Sequence, residues 1–150
     1  MSANDKKIPH YNTEYQHWDL AVAIPMSYLV GCSTKYVVRW RKKGGIDDLH
    51  KAMHYLDKLM DTYLPVPIPR TMSRSEIQYE ISRFAALNHL SIIEEEFIFK
   101  LCSYKSEDDL MEARLVLEDI IDLAEHSRTV YPEPNYPGTP DDGGHHAKDD

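Results

Sequence analysis

Apolar residues recur at intervals of three and four along most of this chain, which is the spacing of one face of an α-helix. The pattern is clearest between residues 47 and 63. The buried face predicted there comprises Leu49, Ala52, Met53, Leu56, Leu59 and Met60. Residues 17–43 carry a similar pattern with a break expected at Pro25, because proline lacks the amide hydrogen that a helix interior donates. We therefore predict an all-α protein built as a helical bundle.

Glycine and proline mark the end of the first predicted helix hairpin. Gly44 and Gly45 would end one helix, and Asp47 would cap the next, which runs to about residue 63. The run 64–72 contains three prolines, so we expect a stiff extended connector there.

Serine and acidic residues mark the helix starts of a second hairpin. Ser73 and Glu76 have the spacing of a capping box, which predicts a helical segment continuing to about residue 104. Either Ser106 or Asp108 would cap a last helix that ends near residue 126.

These signals divide the chain into one helical domain and two flanking segments. We expect a loosely ordered segment over residues 1–14, the helical domain over 15–128, and a disordered acidic tail over 129–150. Within the domain, hairpin one spans about 17–63 and hairpin two about 73–127. A chain of 150 residues is long enough to bury one such core.

The two hairpins also resemble each other in sequence. Residues 36–61 align with residues 97–122 without a gap, and six of the 26 aligned residues are identical. This repeat predicts two duplicated hairpins packed with approximate two-fold symmetry. The copies differ in charge: Lys35, Arg41, Lys42 and Lys51 are replaced by Glu96, Cys102, Ser103 and Glu112. A scaffold persists in both copies whereas a ligand site need not, so we expect the first hairpin to carry the function.

Composition restricts the classes of partner. The net charge of −8 argues against broad nucleic-acid binding, and no apolar run is long enough for a membrane span. The two cysteines, Cys32 and Cys102, lack metal-site spacing, so we expect neither disulfides nor zinc and a cytoplasmic location. Two hairpins make a thin bundle, so we also expect a homo-oligomer. The apolar side chains that it would cover include Ile92, Ile93, Phe97 and Phe99.

Five cations lie within the nine residues from Lys35 to Lys43, although the chain as a whole is acidic. Lys35, Arg39 and Lys42 or Lys43 fall at helical spacing, bordered by Tyr36 and Trp40. Such a face suits a ligand with phosphates and a flat base, because cations pair with phosphate oxygens and aromatic rings stack on bases. The alternative is a solvated helix face whose Trp40 belongs to the core. No P-loop is present, so phosphate chemistry would need another kind of site.

Two further patterns leave other functions open. His50 and His54 are four residues apart on one helix, but no third ligand has suitable spacing, so no metal site is predicted. The acidic run 94–96 with Asp119 and Asp122 would instead hold Mg²⁺ if it faced inward, as in all-α nucleotide pyrophosphohydrolases. The alternative is a solvated acidic surface.

A longer motif resembles a known family. It reads His10-Tyr11, then Gly31-x-x-x-Lys35-Tyr36-x-x-Arg39, then Lys43-Gly44-Gly45-x-x-Asp48-Leu49-x-Lys51-Ala52-x-x-Tyr55-Leu56. The motif is similar to that of a small phage-encoded domain family, which includes the non-P-loop deoxynucleoside monophosphate kinase of T-seven-like coliphages. The resemblance implies phosphate transfer from ATP or another nucleoside triphosphate to a dNMP, with no required cofactor or strict metal requirement, in the cytoplasm of an infected host cell.

The resemblance also implies roles for individual residues. The catalytic residues it implies are His10, Lys35 and Arg39. The nucleotide and phosphate contacts it implies are Tyr11, Tyr36, Lys43, Asp48, Lys51 and Tyr55. Cys32 stands where the family usually has asparagine. A binding protein without turnover, for example one that sequesters a nucleotide signal in anti-defence, therefore remains a second hypothesis.

Overall fold

A computed structural model describes residues 14–63 and 71–130, with side chains described as far as residue 127. These residues form six α-helices and no β-strand, which confirms the predicted all-α bundle. The helices are α1 (His17–Ala23), α2 (Tyr28–Arg39), α3 (Ile46–Asp61), α4 (Arg74–Leu87), α5 (Ile92–Cys102) and α6 (Glu107–Val130). No helix in the described part of the chain is both long and apolar enough to cross a membrane. The N-terminal segment to residue 13, the connector over 64–70 and the tail from residue 131 lie outside the described residues.

The break expected at Pro25 separates α1 from α2. Helix α1 ends at Ala23, and α2 begins after Ser27, whose hydroxyl oxygen accepts a hydrogen bond from the Val30 amide at 3.3 Å.

The prediction that Asp47 caps α3 is wrong. Gly45 occupies the cap with a φ of +61°, a left-handed conformation that glycine adopts without strain, and Asp47 lies inside the first turn.

The capping box predicted at Ser73 is confirmed, with Ser73 and Glu76 each accepting from the backbone amide of the other. The helical segment predicted to continue to residue 104 consists of two helices, since α4 ends at Leu87 and α5 has a capping box of its own from Ser91 to Glu94. His89 makes the turn between them with a φ of +55°. Helix α6 is capped by Ser106, which accepts from the Asp109 amide at 3.1 Å, and continues to Val130.

The six helices form two halves of three helices each. Within each half the chain order is also the packing order, so α1 contacts α2 and α2 contacts α3, as α4 contacts α5 and α5 contacts α6. Between the halves each helix contacts its counterpart: α1 packs on α4, α2 on α5 and α3 on α6. The offset of 61 residues found in the sequence also relates α4 to the region of α1. The predicted two-fold relation between the halves requires this pairing of like helices.

The core lies where the halves meet. Its largest fully buried side chains include Leu20, Tyr36, Leu49, Leu56, Ile81, Phe84, Phe97, Leu101, Leu110 and Leu117. Phe97 is completely buried within the chain, so the prediction that an oligomer covers it is wrong. Ile92 is 88% exposed, and the homo-oligomer stays a prediction.

Candidate functional site

Three cations surround the ring of Tyr36 at the junction of α2 and α3. The Lys35 ammonium nitrogen lies 5.0 Å from the ring centroid, the Arg39 guanidinium carbon 5.1 Å, and the Lys51 ammonium nitrogen 5.2 Å. All three distances are measured from the same ring centroid, so no two of the charged groups are more than about 10 Å apart. We call Lys35, Arg39, Lys51 and Tyr36 the cation cluster.

The helix hairpin explains how the cation cluster forms. Lys35 and Arg39 are one turn apart on α2, and Lys51 reaches the same ring from α3, which packs against α2. The ring face attracts each cation by roughly 0.5–2 kcal/mol, depending on how far the pair is desolvated. The like charges repel one another at this spacing, so a multiply charged anion at the cluster would relieve that repulsion. Tyr36 itself is fully buried, so its predicted role is corrected: it supports the cations and does not offer its ring to a base.

Asp48 ties the cluster to the turn that precedes α3. Its Oδ2 atom accepts hydrogen bonds from Arg39 Nε at 2.9 Å and from the Gly44 amide at 3.0 Å. The carboxylate is fully buried, and its Oδ1 atom has no hydrogen-bond partner among the described residues. A Cβ atom on Gly44 would lie 2.1 Å from that oxygen, so only glycine fits there without a rearrangement. Asp48 therefore both closes the turn and orients Arg39.

His17 is a site residue that the sequence analysis missed. Its Nε2 atom lies 2.7 Å from Thr34 Oγ1, and Thr34 donates its own hydroxyl proton to the Val30 carbonyl at 2.9 Å. Burial, aided by the positive charge of Lys35, lowers the pKa of His17 to about 4, so the imidazole is neutral at pH 7. A tertiary contact between α1 and α2 creates this pair, and no local sequence pattern indicates it.

A short series of tyrosines leads away from the cation cluster. Tyr55 stacks on Tyr36 with the ring centroids 5.8 Å apart and the planes 9° apart. Tyr28 meets Tyr55 edge to face, with centroids 6.4 Å apart and an interplanar angle of 82°. Tyr28 was also missed, although it precedes Tyr36 by eight residues, about two helical turns, and the helical period could have placed both on one face.

The remaining predicted residues lie elsewhere. Lys43 is exposed in the turn between α2 and α3, and His10 and Tyr11 lie outside the described residues. The Trp40 indole Nε1 donates to Glu94 Oε2 at 2.7 Å, across the boundary between the halves, and the Arg41 guanidinium carbon lies 4.9 Å from the indole ring centroid. Arg41 bonds the other oxygen of the same carboxylate at 2.9 Å.

The second half keeps the scaffold of this site but not its charge. Asp109, the counterpart of Asp48, accepts from the Lys105 amide at 2.8 Å, just as Asp48 accepts from Gly44. Phe97 replaces Tyr36, and the positions of Arg39 and Lys51 hold an ion pair between Lys100 and Glu112 at 3.2 Å. The second half therefore has the same backbone arrangement at the equivalent positions, but an ion pair stands there in place of two cations.

Two of the acidic residues considered for Mg²⁺, Glu94 and Glu95, bond to neighbouring side chains. Glu94 is buried and bonds Trp40 and Arg41, while Glu95 accepts from Ser82 at 2.6 Å. His50 Nε2 lies 3.9 Å from a Glu125 carboxylate oxygen. Among the described residues, no group of three or more histidine, cysteine, aspartate or glutamate side chains is arranged to hold a metal ion.

Comparison with known proteins gives one similarity. Residues 6–57 match the profile of a family described as a protein of unknown function (DUF3310). The matched stretch contains α1, α2 and most of α3, and therefore the whole cation cluster, but none of the second half. No curated protein and no solved structure matches the chain.

Proposed function

We propose that this protein binds the phosphate groups of nucleotides at the cation cluster and acts as a deoxynucleoside monophosphate kinase. The observation that carries the proposal is the convergence of Lys35, Arg39 and Lys51 on one buried tyrosine ring. The confinement of this charge to one half of a repeated scaffold supports it, because folding alone does not require the cations.

The reaction is the transfer of one phosphoryl group. An oxygen of the dNMP phosphate forms a bond to the terminal phosphorus of ATP or another nucleoside triphosphate, and the bond from that phosphorus to its bridging oxygen breaks. The products are a dNDP and a nucleoside diphosphate. Negative charge is spread over the oxygens of the transferring group, and fixed cations stabilise it where they need not reorganise. Lys35, Arg39 and Lys51 would have this role, and Asp48 would hold Arg39 in position.

The second candidate is a protein that binds nucleotides without turnover. The observation that favours it is Cys32, half-buried on α2, at the position where the resembled family usually has asparagine. Both candidates use the same cluster, so they differ in product formation and not in where the ligand binds.

The deciding experiment incubates the full chain with each dNMP and ATP or dTTP, with and without EDTA, and separates the nucleotides by anion-exchange chromatography. Formation of a dNDP in the presence of EDTA supports the kinase. Stoichiometric binding without any product supports the binding protein, and the absence of both binding and product refutes the proposal.

Lys51→Met is the variant that locates the site. Lys58→Met is its matched control, since Lys58 is exposed at the far end of the same helix. We expect Lys51→Met to lose at least about tenfold in nucleotide affinity, the equivalent of one charge-assisted contact, and Lys58→Met to bind as the unmodified protein does. Arg39→Ala is a poorer test, because it would leave the buried Asp48 carboxylate without its ion-pair partner.

A further inference from the structure

The tyrosines beside the cation cluster form a series with two unlike ends. At one end, Tyr36 is fully buried beneath the cations. At the other end, Tyr28 is 67% exposed at the first turn of α2. Tyr55 connects them, stacked on the first ring and touched edge-on by the second. The series therefore runs from a charged, buried end to an aromatic, accessible end.

A nucleotide likewise has a charged end and an aromatic end. Its phosphate is anionic and its base is a flat aromatic ring, with the sugar between them. A phosphate held by Lys35 and Lys51 would leave the base to extend along the tyrosines. Tyr36 is buried and Tyr55 already stacks on it, so Tyr28 has the most accessible ring in the series.

We propose that Tyr28 is the base-stacking residue of this site. This inference rests on the proposed function and adds to it the location and chemistry of the nucleobase contact. Stacking on an aromatic ring uses the π face that every base has, so the contact does not depend strongly on which base the nucleotide carries. It accepts purine and pyrimidine monophosphates alike and favours both over a sugar phosphate without a base.

The test measures the affinity of the full chain for three probes by calorimetry: dTMP, dGMP and 2-deoxyribose 5-phosphate, which has no base. In Tyr28→Ala we expect the affinity for both nucleotides to fall about tenfold and the affinity for the sugar phosphate to stay unchanged. Tyr28→Phe, which keeps the ring, should stay within about twofold of the unmodified protein for all three probes. Tyr79→Ala is the matched control, because Tyr79 is 69% exposed on α4 in the other half.

The outcomes separate the two proposals. An equal loss for all three probes, or no loss for any, overturns the role of Tyr28 and leaves phosphate binding in place. Equal affinity of the unmodified protein for nucleotide and sugar phosphate also overturns it. Failure of the unmodified protein to bind any of the probes refutes the proposed function itself. If Tyr28→Ala does not fold, Tyr28→Leu replaces it, since leucine keeps apolar bulk without a flat π face.

Discussion

Asp48 and Arg39 hold each other in place at the centre of the first half. Arg39 Nε donates to Asp48 Oδ2 at 2.9 Å, with the carboxylate fully buried and only 16% of the arginine side chain exposed. A buried ion pair contributes little net stability when intact, but removing one partner leaves the other charge desolvated and uncompensated. The pair therefore fixes the direction of Arg39 and makes both residues hard to replace.

Removing the Asp48 carboxylate should destabilise the protein more than removing its counterpart in the second half. We expect Asp48→Ala to lower the free energy of unfolding by about 3 kcal/mol, because the Arg39 Nε atom loses the carboxylate it contacts and the turn loses its acceptor. Asp109→Ala removes only the bond from the Lys105 amide and should cost about 1 kcal/mol. Urea denaturation of both variants measures the difference, and equal losses would contradict the structural role given to the ion pair.

Gly44 and Gly31 should respond in opposite ways to the same substitution. In Gly44→Ala the new methyl group would lie 2.1 Å from Asp48 Oδ1, so the carboxylate must move and Arg39 with it. We expect a loss of about 2 kcal/mol together with weaker nucleotide binding. In Gly31→Ala the methyl group meets no described atom within 4 Å inside α2, so higher helix propensity should raise stability by up to about 1 kcal/mol. Thermal unfolding of the pair checks the sign of each change.

His17 should make stability dependent on pH in a defined window. Its pKa is about 4 in the folded protein and ordinarily 6.5, so above pH 6.5 it is neutral in both states and its full contribution is present. Between pH 6.5 and pH 4 the unfolded chain binds a proton that the folded protein does not, so stability falls by about 3 kcal/mol in total. Below pH 4 this residue causes no further loss.

The measurement is urea denaturation between pH 7 and pH 5, before most carboxylates titrate. His17→Gln should flatten the pH dependence, because glutamine has no charge to gain. The second half has glutamine at the equivalent position, where Gln78 bonds Glu95 at 3.3 Å. His54→Gln is the control, since it removes an exposed imidazole from α3 and leaves the contact between His17 and Thr34 in place. A slope in His17→Gln as steep as in the unmodified protein would refute the assignment.

Glu94 should be more sensitive than its neighbours to loss of charge. The side chain is 1% exposed and accepts from Trp40 and Arg41 in the other half. In Glu94→Gln the amide group has one acceptor oxygen for donors on both sides, so one donor must lose its partner. We expect a loss of about 2 kcal/mol, read from the free energy of unfolding. Glu96→Gln, at an exposed site on the same helix, should change stability by less than about 0.5 kcal/mol.

The helices themselves were predictable because their signals are local. The spacing of Leu49, Ala52 and Leu56 defined the buried face of α3, and the capping box at Ser73 located the start of α4. The break after Leu87 was missed, since Asn88, His89 and Leu90 contain neither glycine nor proline. His89 takes a positive φ there, a conformation that is uncommon for residues other than glycine.

The candidate site was only partly predictable, because local signals indicate contacts within one helix but not contacts between helices. Lys35 and Arg39 share a helix face, so their proximity follows from the helical period alone. Trp40 lies on the same helix, but the period does not say which neighbouring helix a side chain will meet, and the structure turns it toward Glu94. His17 reaches Thr34 from another helix, and no spacing in the sequence indicates that contact.

The amino-acid sequence was enough to predict an all-α chain, most helix starts, a repeat with an offset of 61 residues, and the concentration of cations in the first copy. These features depend on periodicity, capping and residue type, which act over a few residues or are visible by direct comparison. Three features follow only from the packing: like helices pair across the two halves, Tyr36 is buried beneath the cations, and His17 meets Thr34 while Tyr28 meets Tyr55. Those outcomes depend on which helix faces pack against one another. Several helices have apolar faces of similar character, so the partners of each face are fixed only when the whole core packs together.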